Sequence, residues 1–103
     1  MISVQEAVDN GVRLLDSAGP ADWRKKIINA VRAKRFNILS TYHCVLGELY
    51  GNYVLGRKRL CDDNFAEAWR HGFTGYGYPL QKEWLKRVGE WRSLEKDGKD
   101  QLS

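Results

Sequence analysis

Apolar residues recur at helical spacing in several short runs of this chain, and glycine, proline or polar residues separate one run from the next. The clearest run is the last, whose apolar face consists of Leu80, Trp84, Leu85, Val88 and Trp91. A chain of 103 residues has room for one compact core. We therefore predict a mainly α protein, a single small domain of about five helices over residues 3–91, followed by a frayed, charged tail at 92–103.

Capping residues and breakers mark the ends of the first helices. Ser3 and Glu6 have the spacing of a capping box, which predicts a helix start. Gly19 and Pro20 end this helix, and Pro20 also opens the second one, because a proline in the first turn loses no hydrogen bond. The second helix packs Trp23 inward.

The middle of the chain is less regular. Residues 36–39 predict a short extended segment that packs Phe36 and Ile38 inward. A third helix is expected at about residues 42–54, in which paired glycines allow a close helix crossing. Residues 56–59 predict a basic turn.

A fourth helix precedes a glycine-rich loop and the last helix. Its predicted caps are Asp62, Asp63 and Asn64. Its predicted buried side consists of Phe65, Ala68 and Trp69. Gly72 ends it after His71, whose side chain is expected to bond to the end of its own helix. Pro79 begins the last helix.

Basic residues are concentrated between Trp23 and Leu60, where nine of them stand against one acid, Glu48. This segment carries +8, whereas the rest of the chain carries −4. The basic residues are Arg24, Lys25, Lys26, Arg32, Lys34, Arg35, Arg57, Lys58 and Arg59. Such segregation favours a surface that binds phosphates or an acidic protein. The alternative is a solvated helix face beside unrelated turns, since residues close in sequence need not meet in space.

The loop before the last helix places Tyr76 and Tyr78 among glycines. Tyrosines in such loops form adaptable contact surfaces at low entropic cost. The alternative is that both rings fold over the ends of helices. A tyrosine exposed beside the basic segment is a candidate binding anchor.

Residues that carry metal or nucleophilic chemistry are few. The soft metal ligands are His43, Cys44, Cys61 and His71, and their spacing does not match that of zinc sites. The chain also lacks a glycine-rich phosphate loop and an H-E-x-x-H motif. We therefore predict no catalytic residue, no metal and no cofactor, and a protein that is not an enzyme.

No run approaches the roughly 20 apolar residues that span a bilayer, and the first residues lack the pattern of a signal peptide. We expect a cytoplasmic protein with reduced cysteines and no membrane partner. Four tryptophans are many for a chain of this length to cover, which favours a homodimer through the last helix.

One set of residues resembles a known family. It comprises Gly11 with Leu14, Leu15 and Asp16, then Pro20, Trp23 and Ile27, then C-V-L-G-E-L-Y-G at residues 44–51 with Tyr53 and Gly56, then His71, Gly72 and Phe73, and finally Tyr78, Leu80 and Trp84. This order resembles small proteins encoded by actinobacterial phages and prophages, including those of mycobacteria. The similarity covers roughly residues 8–91. The stretch between Ile27 and Cys44 is longer and more basic here than in that family.

The resemblance implies a phage setting and no catalytic residues, since the family has no established activity. We therefore expect a non-enzymatic accessory protein in the cytoplasm of the host cell. It would bind a host macromolecule, and we favour a host protein that it inhibits or redirects. The alternative is a nucleic-acid-binding regulator that uses the basic clusters at residues 24–35 and 57–59.

Overall fold

The computed structural model describes the backbone of residues 2–102 and the side chains of residues 2–94. Within that range the chain forms six helices and no strand: α1 Val4–Ala18, α2 Trp23–Arg32, α3 Val45–Tyr50, α4 Tyr53–Cys61, α5 Phe65–Arg70 and α6 Tyr78–Leu102. The prediction of a mainly α fold is confirmed, with six helices rather than about five.

The predicted third helix is two helices that meet at a sharp break. Gly51 ends α3 with a φ of +98°, and the Asn52 side chain begins α4 by accepting a hydrogen bond from the Leu55 amide at 2.9 Å. The single helix at 42–54 was therefore wrong. The basic turn at 56–59 was also wrong, because these residues lie inside α4. Of the paired glycines, Gly47 and Gly51, only Gly47 is in a close contact: a Cβ there would lie 2.5 Å from the Tyr42 carbonyl carbon, whereas a Cβ on Gly51 would meet no atom within 4 Å. Gly56 forms the close contact between α3 and α4, where a Cβ would lie 2.6 Å from the Leu46 Cβ.

Residues 33–44, which we call the connector, link α2 to α3 without regular structure. Phe36 and Ile38 are buried, as predicted, but the segment at 36–39 is not a strand. The Gln81 side chain of α6 fixes it by accepting a hydrogen bond from the Ile38 amide at 2.7 Å and donating one to the Phe36 carbonyl at 3.1 Å. These two bonds satisfy backbone groups that a neighbouring strand would otherwise pair.

The loop between α5 and α6 joins α1 to α6 in the core. Gly72 lies against the α1 backbone with a φ of +68°, and its carbonyl accepts a hydrogen bond from Trp84 Nε1 at 2.7 Å. Phe73 stacks on Trp84 with 6.4 Å between the ring centroids. Gly11 of α1 lies so close to the His71 carbonyl that a Cβ would collide with its oxygen. Glycine is therefore required on both sides of this crossing.

Several predicted helix ends are confirmed. Ser3 caps α1 by accepting from the Glu6 amide at 3.1 Å, and Asn64 caps α5. His71 Nδ1 lies 2.6 Å from the Glu67 carbonyl oxygen, so this histidine closes its own helix.

The predictions for Phe65 and for the C-terminal tail are not confirmed by the structure. Phe65 is 58% exposed, so its prediction as a buried residue was wrong. It is the first residue of α5, on the turn that faces away from the core. The frayed tail expected at 92–103 falls where α6 continues as helix to Leu102, and the side chains from residue 95 lie outside the described part of the chain. Fraying of this segment stays a prediction.

Two of the four tryptophans are buried, and the other two, Trp69 and Trp91, are half-buried against aromatic rings of the same chain. Trp84 is fully buried, and Trp23 is buried with its ring edge-to-face to Trp91 at a centroid distance of 5.3 Å. Trp69 is stacked against Tyr76 at 5.6 Å. The homodimer through the last helix stays a prediction. None of the described helices is both long enough and apolar enough to cross a membrane.

Alanine substitution at two helical glycines separates the effect of the close contact between α1 and the His71 carbonyl from that of ordinary helix propensity. We expect Gly11→Ala to lower the free energy of unfolding by about 1–3 kcal/mol, because the added methyl collides with the His71 carbonyl. Gly89→Ala on α6 meets no atom within 4 Å and should raise it by about 0.5–1 kcal/mol. Urea unfolding of both variants checks this prediction. A Gly11→Ala variant as stable as the wild type would contradict the close contact between α1 and the His71 carbonyl.

Candidate binding site

The nine basic residues singled out from the sequence lie on three elements and do not line one common groove. Arg24, Lys25, Lys26 and Arg32 are on α2, Lys34 and Arg35 are in the connector, and Arg57, Lys58 and Arg59 are on α4. Lys25, Lys26, Lys34, Lys58 and Arg59 are exposed. Three of the arginines are held by acids of the same chain.

Arg24 is part of the packing between α1, α2 and α6. Its guanidinium donates to Asp16 at 2.9 Å and lies 5.2 Å and 5.1 Å from the ring centroids of Trp23 and Trp91. Asp16 also accepts a hydrogen bond from Trp23 Nε1 at 3.0 Å. The carboxylate thus satisfies a nearly buried indole N–H and neutralises the cation beside it, so Arg24 has a structural role.

Arg35 and Arg57 are paired in the same way. Arg35 Nε donates to both carboxylate oxygens of Glu48, at 3.0 and 3.1 Å, and His43 Nδ1 lies 2.9 Å from the same group. The Glu48 side chain is 9% exposed and ties both ends of the connector to α3. Arg57 pairs with Asp63 at 2.8 Å and lies over the Tyr53 ring at 5.4 Å.

Of the two loop tyrosines, only one is an exposed aromatic. The Tyr76 ring is stacked on Trp69, and its hydroxyl donates to the Ile2 carbonyl at 3.2 Å. The Tyr76 ring thus packs against the rest of the chain, in line with the alternative stated above, and Tyr76 as a binding residue stays a prediction. Tyr78 is 66% exposed at the start of α6, with Lys82 Nζ 5.6 Å from its ring centroid.

Tyr78 shares a groove with part of the basic segment. This groove, which we call the Tyr78 groove, has a volume of about 460 Å³ and is lined by Lys34, Arg35, Phe36, Asn37, Ile38, Leu39, Tyr78 and Gln81. Leu39 is 74% exposed, so the groove has two large exposed apolar side chains beside an exposed cation. Two candidates far apart in the sequence, Lys34 and Tyr78, are thus brought together.

Sequence reasoning did not identify Leu39 or Gln81 as parts of the site. The inward alternation of Phe36 and Ile38 contained the signal for Leu39, since the next residue of such a pattern faces outward. Gln81 had no local signal, because its partners are backbone groups of the connector.

A second groove lies between α2 and α6 and holds three other sequence candidates. It has a volume of about 400 Å³ and is lined by Arg24, Lys25, Ile28, Asn29, Arg32, Trp91 and Leu94. Because Arg24 is neutralised by Asp16, the basic character of this groove is weaker than its lining suggests. The α4 cluster Arg57, Lys58 and Arg59 lines neither groove.

The thiols and histidines have structural surroundings. Burial raises the pKa of Cys44, which is the N-cap of α3 and accepts from the Gly47 amide at 3.4 Å. Burial also raises the pKa of Cys61 to about 11. Both thiols are free and protonated at neutral pH. Among the described residues, no group of three or more His, Cys, Asp or Glu is placed to hold a metal ion.

Acid should weaken the link between the connector and α3. Burial alone would raise the pKa of Glu48, but hydrogen bonds from Arg35 and His43 outweigh it and hold that pKa below its usual value. A carboxyl whose pKa is lower in the folded chain contributes stability above its unfolded value, about 4.3, and loses that contribution as pH falls through the folded pKa.

We therefore expect Glu48→Gln to lower the free energy of unfolding at pH 7, and the difference from the wild type to shrink steadily below about pH 4.3. Urea unfolding at a series of pH values measures this difference. A difference that is the same at pH 7 and pH 3 would contradict the ionic role of Glu48.

Native thiols should react slowly. Because burial keeps Cys44 and Cys61 as thiols, we expect iodoacetamide at pH 8 to label the folded chain at least about tenfold more slowly than the chain unfolded in guanidinium. Mass spectrometry resolves the two sites. Equal rates in the folded and unfolded chains would show that the thiols are accessible and that their pKa is not raised, which would contradict this prediction.

No protein-family model, no curated protein and no solved structure matches this chain. The resemblance to phage-encoded proteins stays a prediction made from the sequence.

Proposed function

We propose that this chain is a non-enzymatic accessory protein that binds another protein through the Tyr78 groove. The observation that carries the proposal is the meeting of exposed Tyr78, exposed Leu39 and Lys34 in one groove. Aromatic side chains are common anchors of protein interfaces, and large apolar groups left in water favour burial by a partner. The phage setting, and therefore a host protein as the target, comes from the sequence resemblance.

The pairing of basic residues supports a protein partner over a nucleic acid. Phosphate binding needs cations that are available to the backbone of the nucleic acid. Arg24, Arg35 and Arg57 are each paired with an internal acid, so three of the nine basic residues offer less net positive charge to phosphates. Leu39 and Tyr78 add apolar area that phosphate contacts do not use.

The state of the cysteines supports a function without nucleophilic catalysis. A catalytic cysteine needs a lowered pKa and access to a substrate. Burial raises the pKa of both Cys44 and Cys61.

The test is capture of a protein by the tagged chain from an actinobacterial lysate, with and without nuclease treatment. Tyr78→Ala and Lys34→Glu should each weaken binding of the captured protein about tenfold or more, since each removes a group at the centre of the interface. Lys26→Glu, an exposed position on α2, is the matched control and should bind as the wild type does. Circular dichroism and thermal unfolding confirm that each variant is folded.

Two outcomes would overturn the proposal. One is capture that does not change in Tyr78→Ala and Lys34→Glu. The other is capture that disappears with nuclease and falls steeply with salt, which would favour the nucleic-acid alternative. The double variant Lys58→Glu with Arg59→Glu tests that alternative, because these exposed α4 residues lie outside the groove. Loss of capture in this variant would favour nucleic-acid binding. Arg57 is left unchanged, since it pairs with Asp63 and its replacement would disturb the fold.

A further inference from the structure

A smaller cavity adjoins the Tyr78 groove. Its volume is about 190 Å³, and Ile38 and Leu39 line both the cavity and the groove. We call it the Phe73 pocket. Its remaining walls come from the end of the connector, the start of α4, the loop between α5 and α6, and Leu80 in the first turn of α6.

The Phe73 pocket leads from the surface to the core. Cys44, Phe73 and Leu80 line it and are buried core residues, whereas Thr41 and Gly75 line it and are exposed. A cavity of roughly 150 Å³ with apolar walls holds one benzene molecule. The Phe73 pocket is somewhat larger and opens to the surface, and its walls combine apolar side chains with Ser40, Thr41, Tyr53 and Thr74. By volume it has room for one large, mainly apolar side chain, such as that of phenylalanine or leucine.

The charged side chains that line the groove are both basic, Lys34 and Arg35, and the pocket itself is lined by uncharged residues. No Asp or Glu is among the described residues that line the pocket or the groove. Lys34 is exposed at the groove, and Lys82 lies beside Tyr78. Arg35 adds little, because Glu48 neutralises it. The two lysines favour carboxylates on whatever occupies the groove.

We infer that the partner contributes a short acidic segment with one large apolar side chain. The apolar side chain enters the Phe73 pocket, and the flanking carboxylates lie beside Lys34 and Lys82. An anchor side chain in a pocket that reaches the core supplies most of the binding energy of such an interface, and a polar rim of complementary charge adds specificity. This inference rests on the proposed function and specifies the chemistry of its partner.

Three synthetic peptides test the inference without knowledge of the natural partner. The probe is acetyl-Asp-Glu-Phe-Asp-Glu-amide, and its controls replace Phe by Ala or every acid by Lys. In two-dimensional NMR spectra of the full chain, the probe should shift the backbone amide signals of Thr41, Thr74, Gly75 and Gly77. Binding of the Ala control should be about tenfold weaker or more, because a buried phenylalanine contributes at least that factor. The Lys control should not bind.

A variant that fills the pocket gives an independent test. We expect Thr74→Leu to abolish the shifts caused by the probe, because the larger side chain occupies the pocket. Ala66→Leu, an exposed position on α5, is the matched control and should bind the probe as the wild type does. If Thr74→Leu does not fold, the comparison of the Phe and Ala peptides decides the question.

The inference and the proposed function fail in different ways. Equal binding of the Phe and Ala peptides, or equal binding of the acidic and basic peptides, overturns the inference. So does an absence of shifts at the pocket. Any of these results leaves the proposed function standing if capture of a protein still depends on Tyr78. If capture does not depend on Tyr78, the proposed function itself fails.

Discussion

The hydrogen bond from the Trp84 indole to the Gly72 carbonyl, 2.7 Å long and buried, fixes the place of α6 in this fold. Gly72 can accept it because its left-handed backbone brings the loop directly against α1, where a Cβ would lie 3.0 Å from the Ala7 carbonyl carbon. The same contact sets the start of α6. Tyr78 and Gln81 are on its first turn, so the position of the groove depends on a bond in the core.

The arginines and the lysines of the basic segment have different surroundings. Asp16, Glu48 and Asp63 each pair with one arginine of the basic segment. The first two pairs join separate parts of the fold, and the pair of Arg57 with Asp63 links α4 to the turn directly after it. The lysines of the segment remain exposed. The excess charge seen in the sequence is therefore partly structural, and the cations available to a partner are fewer than the composition suggests.

The helical periods, the Ser3 and Asn64 caps and the inward positions of Phe36 and Ile38 could be predicted because each depends on residues close in sequence. The break at Asn52 could not, since the apolar pattern continues through it and a capping asparagine inside a helical pattern is ambiguous. Ion pairs such as Arg35 with Glu48 depend on the path of the connector, which no local pattern records. Lys34 and Tyr78 of the Tyr78 groove were predicted from the sequence. That they lie in one groove, and that Gln81 holds the connector there, depends on the fold.

The central claim is that a protein partner covers the Tyr78 groove, and amide hydrogen exchange tests it most directly. The measurement compares the free chain with the chain bound to a protein captured after nuclease treatment. The account predicts added protection at residues 36–39 and 77–81, with little change in α4. Protection confined to α4 around residues 57–59, with the groove unchanged, would contradict it.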